Sequence, residues 1–459
     1  MTTARRLLGV LLASVLVLTA ACGGDDDAGG DDSPAEDGGA SVEDALLVPD
    51  DHETIQAAVD AAEPGDLILV SPGVYEEAVT VETDELTIRG LDRNEVILDG
   101  GFEMDNGIRV VGANGVAIEN MTARNYTNNG FFWTGVEGYR GSYLTTYRIG
   151  DYGVYAFEST QGLLEHSYAS GSPDAGFYIG GCYPCDAVID DVVAEFNGLG
   201  YSGTNSGGNL LIVNSTFRNN RAGIVPNSGT YEPCYPERET TIVGNIVHSN
   251  NNTETPAIDV AFDAQGNGIL VAGGTLNTIE RNLVYDHDLT GIGLVPFPES
   301  DANDVEPPVE NDDMPCSEAR NLPVADPADI PETVLWSPRG NSVVGNVVED
   351  SRLADIAVGS LVDVSGMENC FADNEHATSA PADLETLAPC EGEGSGDWAT
   401  GALDFAPFLA EKPPSQDYKT TPVPDAQDNM PDADSAPAAP ATGMPPEVDL
   451  DAIEVPDHP

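Results

Sequence analysis

The chain has 459 residues, with 79 Asp and Glu against 17 Lys and Arg, and a formal net charge of −62. Such a surface repels a phosphate backbone, which excludes nucleic acid as a partner. Its two lysines, Lys412 and Lys419, lie near the C-terminus, and no lysine or arginine lies between Arg6 and Arg89. An excess of carboxylate of this size suits a high-salt habitat, where screening is short-ranged, or a merely soluble acidic surface.

Arg5 and Arg6 precede an apolar run from Leu7 to Leu18, followed by Thr19-Ala-Ala-Cys22. A basic start, a short apolar core and a small-residue site predict an export signal over 1–21, too short for a membrane span. Cys22 directly after small residues resembles the bacterial lipoprotein cleavage box, with Thr19 in place of the usual leucine. That resemblance implies lipidation of Cys22 and a protein held to the outer face of the cell membrane. Ordinary cleavage, with Cys22 incidental, is the alternative. Residues 22–46, rich in Gly and Asp, predict a solvated tether.

Ile55, Val59 and Ala62 share one helical face and predict a short capping helix near 53–63. After it comes a ladder: Gly107, Gly130, Gly153, Gly176, Gly200, Gly223, Gly268 and Gly291, usually 23 or 24 residues apart. After these glycines the chain alternates, as in Gly-Ile-Arg-Val, Gly-Phe-Phe-Trp and Gly-Phe-Tyr-Ile, which predicts strands with one buried face. Recurrence at a fixed period predicts a stack of repeats. Met121, Tyr143, Ser167, Val192 and Ser215 form a second column, continued by Asn245, Asn282 and Asn346. The pattern predicts an all-β fold, a right-handed single-stranded parallel β-helix over 47–390. Insertions at 227–240, 250–266 and 297–335 are expected to project from the stack, because proline and lost alternation argue against strands there.

The segment from Thr54 to Tyr75, Thr-Ile-Gln-Ala-Ala-Val through Val-Ser-Pro-Gly-Val-Tyr, resembles the start of proteins of the pectin-lyase-like superfamily. Asp174-Ala-Gly-Phe-Tyr-Ile-Gly-Gly resembles bacterial secreted β-helix repeat proteins of uncharacterised role, and the repeats are similar to periplasmic helpers of copper-enzyme maturation. The resemblance covers roughly 50–370. It implies the fold and leaves function open among lyases, hydrolases, epimerases and non-enzymes.

Laying the coils on one another gives the candidate site. Two residues after the glycines stand Arg109, Phe132, Tyr155 and Tyr178, in a column expected to face outward. Two residues before them stand Asp105, Asn128, Asp151, Asp174, Gly198 and Arg221. Fourteen of the 30 aromatic residues fall between Tyr126 and Tyr183. Aromatic faces beside carboxylates suit a sugar ring, so polysaccharide or cell-wall glycan is the expected partner, with Phe132, Tyr155, Tyr178, Glu158 and Asn227 as binding residues. Asp151 and Asp174, about 5 Å apart on neighbouring rungs, suit glycoside hydrolysis. Alternatively Asp105, Asp151 and Asp174 suit calcium, and Arg221 then resembles the arginine that superfamily lyases place near their metal. Ordinary turn chemistry explains an Asp before Gly equally well. His166 is a possible edge member.

Asn197, Asn220 and Asn250 align as an inward ladder whose register His287 shares, against a metal role for Tyr285-Asp-His-Asp288. Of the six further cysteines, Cys182 with Cys185 suits a local bridge and Cys370 with Cys390 a staple at the end of the solenoid, leaving Cys234 with Cys316. Cys182-Tyr-Pro-Cys185 as a redox pair or half a metal site is the alternative. From 391 to 459 the chain is rich in Pro, Ala and Asp without periodicity, which predicts a mostly disordered tail, with Trp398–Leu409 free to pack on the body. A monomer is expected. Three functions are left: an enzyme on polysaccharide, a non-catalytic surface or binding protein, and an accessory factor for an exported metalloenzyme; binding or processing of polysaccharide at the surface is the expected one.

Overall fold

The computed structural model describes residues 40–258, 260–300, 302, 316, 332–359, 367–395 and 403–459. The expected signal, Cys22 and most of the tether fall outside the described residues. Among those described, strands recur in threes and stack into three parallel sheets. Sheet one runs from Leu46–Val48 to Cys370–Ala372, sheet two from Gly73–Tyr75 to Glu375–His376, and sheet three from Val79–Val81 to Ser379–Ala380. Each strand pairs with the strand one coil away, as in Phe131↔Val154 and Val154↔Phe177. This is the parallel β-helix that the glycine period predicts.

The glycine column lines the start of sheet three, and close approach explains it. A Cβ at Gly107 would stand 2.5 Å from the carbonyl oxygen of Gly130. Gly130 meets Gly153 at 2.6 Å, and Gly223 meets Gly268 at 2.5 Å. No side chain fits such a gap. The step from Gly223 to Gly268 is a single coil, since Ile224 pairs directly with Ile269. Its extra residues leave at two corners, as loops 228–237 and 249–267.

Inside, residues at alternate strand positions form one continuous apolar core, from Ile55 through Phe131 and Phe177 to Phe371. The helix Ile55–Ala61 closes the first coil with Ile55, Ala58 and Val59, and the Thr54 side chain caps its first turn. Corners are tied by asparagine. Asn220 accepts from the Asn197 N–H (2.9 Å) and donates to the Ala194 carbonyl (2.9 Å), and the ladder runs on through Asn250 to His287. Burial holds the His287 imidazole far below its usual pKa, near 3, so it is a neutral end to the ladder. The second column occupies the next corner, where Ser215, Asn245, Asn282 and Asn346 each pass a hydrogen bond to the coil above. Leu144, not Tyr143, belongs to it: the Leu144 N–H donates to Ser167 Oγ.

The three disulfides are Cys182–Cys185, Cys234–Cys316 and Cys370–Cys390, the pairing expected. Phe297–Ser300 and Thr333–Trp336 form an antiparallel ribbon outside the three stacked sheets, so the third insertion adds no coil among the described residues. In the first insertion, 238–240 belong instead to a sheet-one strand, Arg238–Val243.

The tail differs from the expectation of disorder. Residues 403–459 lie along the solenoid in extended and turn conformations, with 3-10 turns at Tyr418–Thr420 and Leu450–Ala452. A Pro-rich chain needs no internal hydrogen bonds, and here the donors come from the body, such as Arg221 to the carbonyls of Pro413 and Pro414 (2.8 Å each).

Asn220→Ala leaves the buried Asn197 N–H without its acceptor and removes the side-chain hydrogen bond to the Ala194 carbonyl. Urea unfolding should show a loss of about 2–4 kcal/mol.

Candidate functional site

Sheet three presents the predicted column outward. Phe131 and Trp133 point into the core while Phe132, between them, does not. Pairing brings Arg109, Phe132, Tyr155 and Tyr178 into line on four successive coils. The ring centroids of Phe132 and Tyr155 are 4.7 Å apart, as are those of Tyr155 and Tyr178. Tyr152, one corner position earlier, stacks flat on Tyr155 at 4.4 Å. Arg109 is exposed at the lower end, its guanidinium 5.8 Å from the Phe132 ring.

The column is not open throughout. Phe132 and Tyr155 are half-buried, but Tyr178 is fully buried. The cause is the 228–237 loop, whose Glu232 carboxylate accepts the Tyr178 hydroxyl hydrogen bond. Higher on the same sheet, Ala222, Val225, Leu270 and Ala357 are roofed by the helix Val260–Asp263 and by Leu403, with Phe405 and Phe408 packed beside them. The outward aromatic residues of sheet three that remain accessible lie on the lower coils.

The carboxylates divide. Asp174 follows Asp151 one rung up, joined by the Asp174 N–H to the Asp151 carbonyl (3.3 Å), and accepts from the Tyr152 hydroxyl at 2.8 Å. Asp105 stands two rungs below Asp151, with Asn128 between them, and bonds Thr127 (3.2 Å). No group of three or more His, Cys, Asp or Glu among the described residues comes together to hold a metal ion. The set Asp105, Asp151 and Asp174 therefore does not fit calcium, because rung spacing puts Asp105 about 10 Å from Asp151.

Arg221 is also a correction. It is fully buried and gives its hydrogen bonds to Gln265 and to the carbonyls of Thr253, Thr255, Pro413 and Pro414, with Phe262 under its plane at 5.1 Å. It pins a loop and the tail, and holds nothing at Asp174. Asn227 is buried and donates to the Tyr231 hydroxyl (2.6 Å), so it braces the 228–237 loop from beneath. His166 lies at the opposite corner, bonded to Asp191 at 2.7 Å. Glu158 does join the cluster, since its charge helps raise the pKa values of both Tyr155 and Glu232.

Sequence reasoning missed Tyr231 and Glu232. Glu232 is pushed up to about 8, by burial first and then by the charges of Asp174 and Glu158, against the Tyr178 hydrogen bond. A carboxyl raised this far above the ordinary carboxylate range is a candidate proton donor beside Asp174 and Glu158. Tyr231 next to it is 42% exposed. The available signal was the aromatic-acid pair Tyr231-Glu232 inside an insertion that opens beside the ladder. A groove of about 430 Å³, lined by Glu137, Glu158, Thr160, Gln161 and Tyr183 among others, adjoins the site along the corner between sheets three and one.

Residues 106–296 match the family described as right handed beta helix region, and the fold is a right-handed parallel β-helix. No curated protein matches the chain in sequence. Among solved structures it is similar to the A-module of the Azotobacter vinelandii mannuronan C-5 epimerase AlgE4, with 15% identity, TM-score 0.45, and coverage of 77% of this chain and 96% of that one. A rhamnogalacturonan lyase gives 11% identity and TM-score 0.46 over 82% and 91% of the two chains. The pectate lyase Pel9A gives 14% and 0.41 over 81% and 82%. The activities in these names are those proteins' own.

Glu237 is a second buried carboxyl pushed up to about 8, by burial, against hydrogen bonds from Asn277 and Thr240. Both carboxyls bind protons in the fold that the unfolded chain releases above about pH 4.5. Their stabilisation is complete below that pH and is lost as pH rises through about 8. Unfolding free energies measured from pH 5 to 9 (roughly spanning that window) should fall. For the fully buried Glu237 the slope is at most about 1.4 kcal/mol per pH unit, and Glu237→Gln should flatten it.

Proposed function

We propose that this is a glycan-binding β-helix protein, whose ligand lies across Phe132 and Tyr155 and ends against the Tyr231–Glu232 loop. The observation that carries the reading is the two partly open rings in register, left uncovered where the outer face of the coils above them is roofed. An aromatic pair kept at the surface of a chain that is otherwise so acidic needs a reason. Stacking on the apolar face of a sugar ring supplies one. Asp151, Asp174 and Glu158 stand beside the rings as acceptors for hydroxyls, and the Glu232 carboxyl, its pKa raised by burial, as a donor. With net charge −62, a neutral polysaccharide is the ligand that the field does not repel. Anchorage at Cys22 on the outside of the cell membrane is part of the same proposal and rests on the sequence of residues 1–22.

The test is affinity electrophoresis of the full chain against a panel of neutral and anionic polysaccharides. Phe132→Ala with Tyr155→Ala should weaken binding of a neutral glycan at least about tenfold, for a stacking contribution on the order of 1–3 kcal/mol per ring. Its thermal midpoint should stay close to that of the parent. Equal affinity in the double variant, or retention of anionic polymers alone, would sink the reading.

A further inference from the structure

The C-terminal segment runs the length of the solenoid twice. Leu403 and Phe405 pack against Gly359 near the last coils. Pro413 and Pro414 then reach Arg221, Thr421 reaches Arg148 (2.7 Å), and Asp428 reaches Arg93 (3.0 Å). Ala436 and Pro437 arrive at Arg89, on the second strand of sheet one after Leu46–Val48 (2.6 and 2.9 Å). There Ala438 packs with Leu67 and Leu69 and donates to the Ala40 carbonyl. The chain then turns back. Val448, Leu450 and Ile453 cover Val188, Val213 and Val243 on the outer face of sheet one, and His458 ends beside Glu349 (3.2 Å).

The arginine contacts of the segment have one form. A guanidinium from the body donates to main-chain carbonyls of the segment, at Arg221, Arg148, Arg93, Arg89 and, on the returning limb, Arg281 (to Leu450, 2.9 Å). Arg89, Arg93 and Arg221 are buried, and lifting the segment takes acceptors from each of them, leaving Arg89 with Glu119, Arg93 with Leu144 and Thr145, and Arg221 with Gln265, Thr253 and Thr255. The returning limb also covers an apolar stripe. Both terms favour continuous attachment.

A stack of coils on its own is held by nearest-neighbour contacts and opens from its ends, coil by coil. We propose that residues 403–459 act as a strap that couples the first coils to the last, so that the end coils open only when the whole solenoid does. The strap makes the contacts between distant coils that the stacking geometry cannot.

Native-state hydrogen exchange on the full chain tests this. In the parent, amides of Leu67–Val70 and Ala354–Val358 should exchange at one common free energy with the central strands. The variant Ala439→Pro with Ile453→Asp changes the strap alone: it removes the donor to Thr87 Oγ1 and the apolar contact at Gly244. It should speed exchange of the end coils at least tenfold while the central strands keep their parent rates. Arg148→Met, from the body side, should do the same in smaller measure. Equal acceleration in every strand, or no change at the ends in either variant, would overturn the proposal.

Discussion

Every feature of this molecule follows from the demand that each coil return to the same register as the coil beneath it. Parallel pairing fixes the rise per coil near 4.8 Å, and the glycine column fixes how tightly the chain turns into sheet three. With the carbonyl of Gly130 only 2.5 Å from where a Gly107 Cβ would stand, the corner has no freedom to widen. Extra residues must therefore leave through corners, and the two loops in the coil between Gly223 and Gly268 leave on either side of sheet three. The stack does not deform around them. It stays regular while the loops fold over its outer face, and so they decide which outward side chains meet solvent.

That division gives the site its chemistry. Where the loop with helix Val260–Asp263 covers the sheet, outward positions are Ala, Val and Leu and form a second, outer core. Where no cover reaches, the same column holds Tyr155, Phe132 and Arg109. Glu232 marks the border. It is drawn into aromatic surroundings by its bond to Tyr178, while Asp174 and Glu158 oppose its ionisation. Desolvation and like charge act in one direction here, and the single tyrosine hydrogen bond opposes them without restoring the carboxyl to its ordinary range.

The stack was legible in the sequence because period and alternation are local properties. Phe132 and Tyr155 point outward as that pattern predicts, and the asparagine ladder runs on to His287 in the expected register. Tyr178 and Arg221 were not, because what covers them lies far off in sequence: Glu232 is 54 residues from Tyr178, and Pro413 is 192 residues from Arg221. Periodicity states which way a side chain points and is silent about what arrives on top of it. The tail was misjudged on composition, since lost periodicity excludes a strand or helix but not an extended chain held by an external surface. A signal for that surface did exist. Val188, Val213 and Val243 occupy outward positions of sheet one, where an uncovered face would carry polar side chains.

The cation balance also has a structural reading. The chain has 15 arginines and two lysines, and the arginines that hold the tail reach it through its carbonyl oxygens, Arg89 and Arg281 pairing with Glu119 and Glu280 of the body as well. A carbonyl pair such as Pro413 and Pro414, or Ala436 and Pro437, presents two acceptors a few ångströms apart. A planar guanidinium meets both at once and keeps its charge when buried, whereas an ammonium is a strongly hydrated point charge that loses its proton readily in such a site. Arginine for lysine at these positions is thus set by geometry and burial. The same usage leaves the outside of the protein to carboxylate, since Arg89, Arg93 and Arg221 contribute nothing to its surface. Arg109, exposed over the edge of Phe132, is then a conspicuous positive group at the lower end of an acidic, aromatic face.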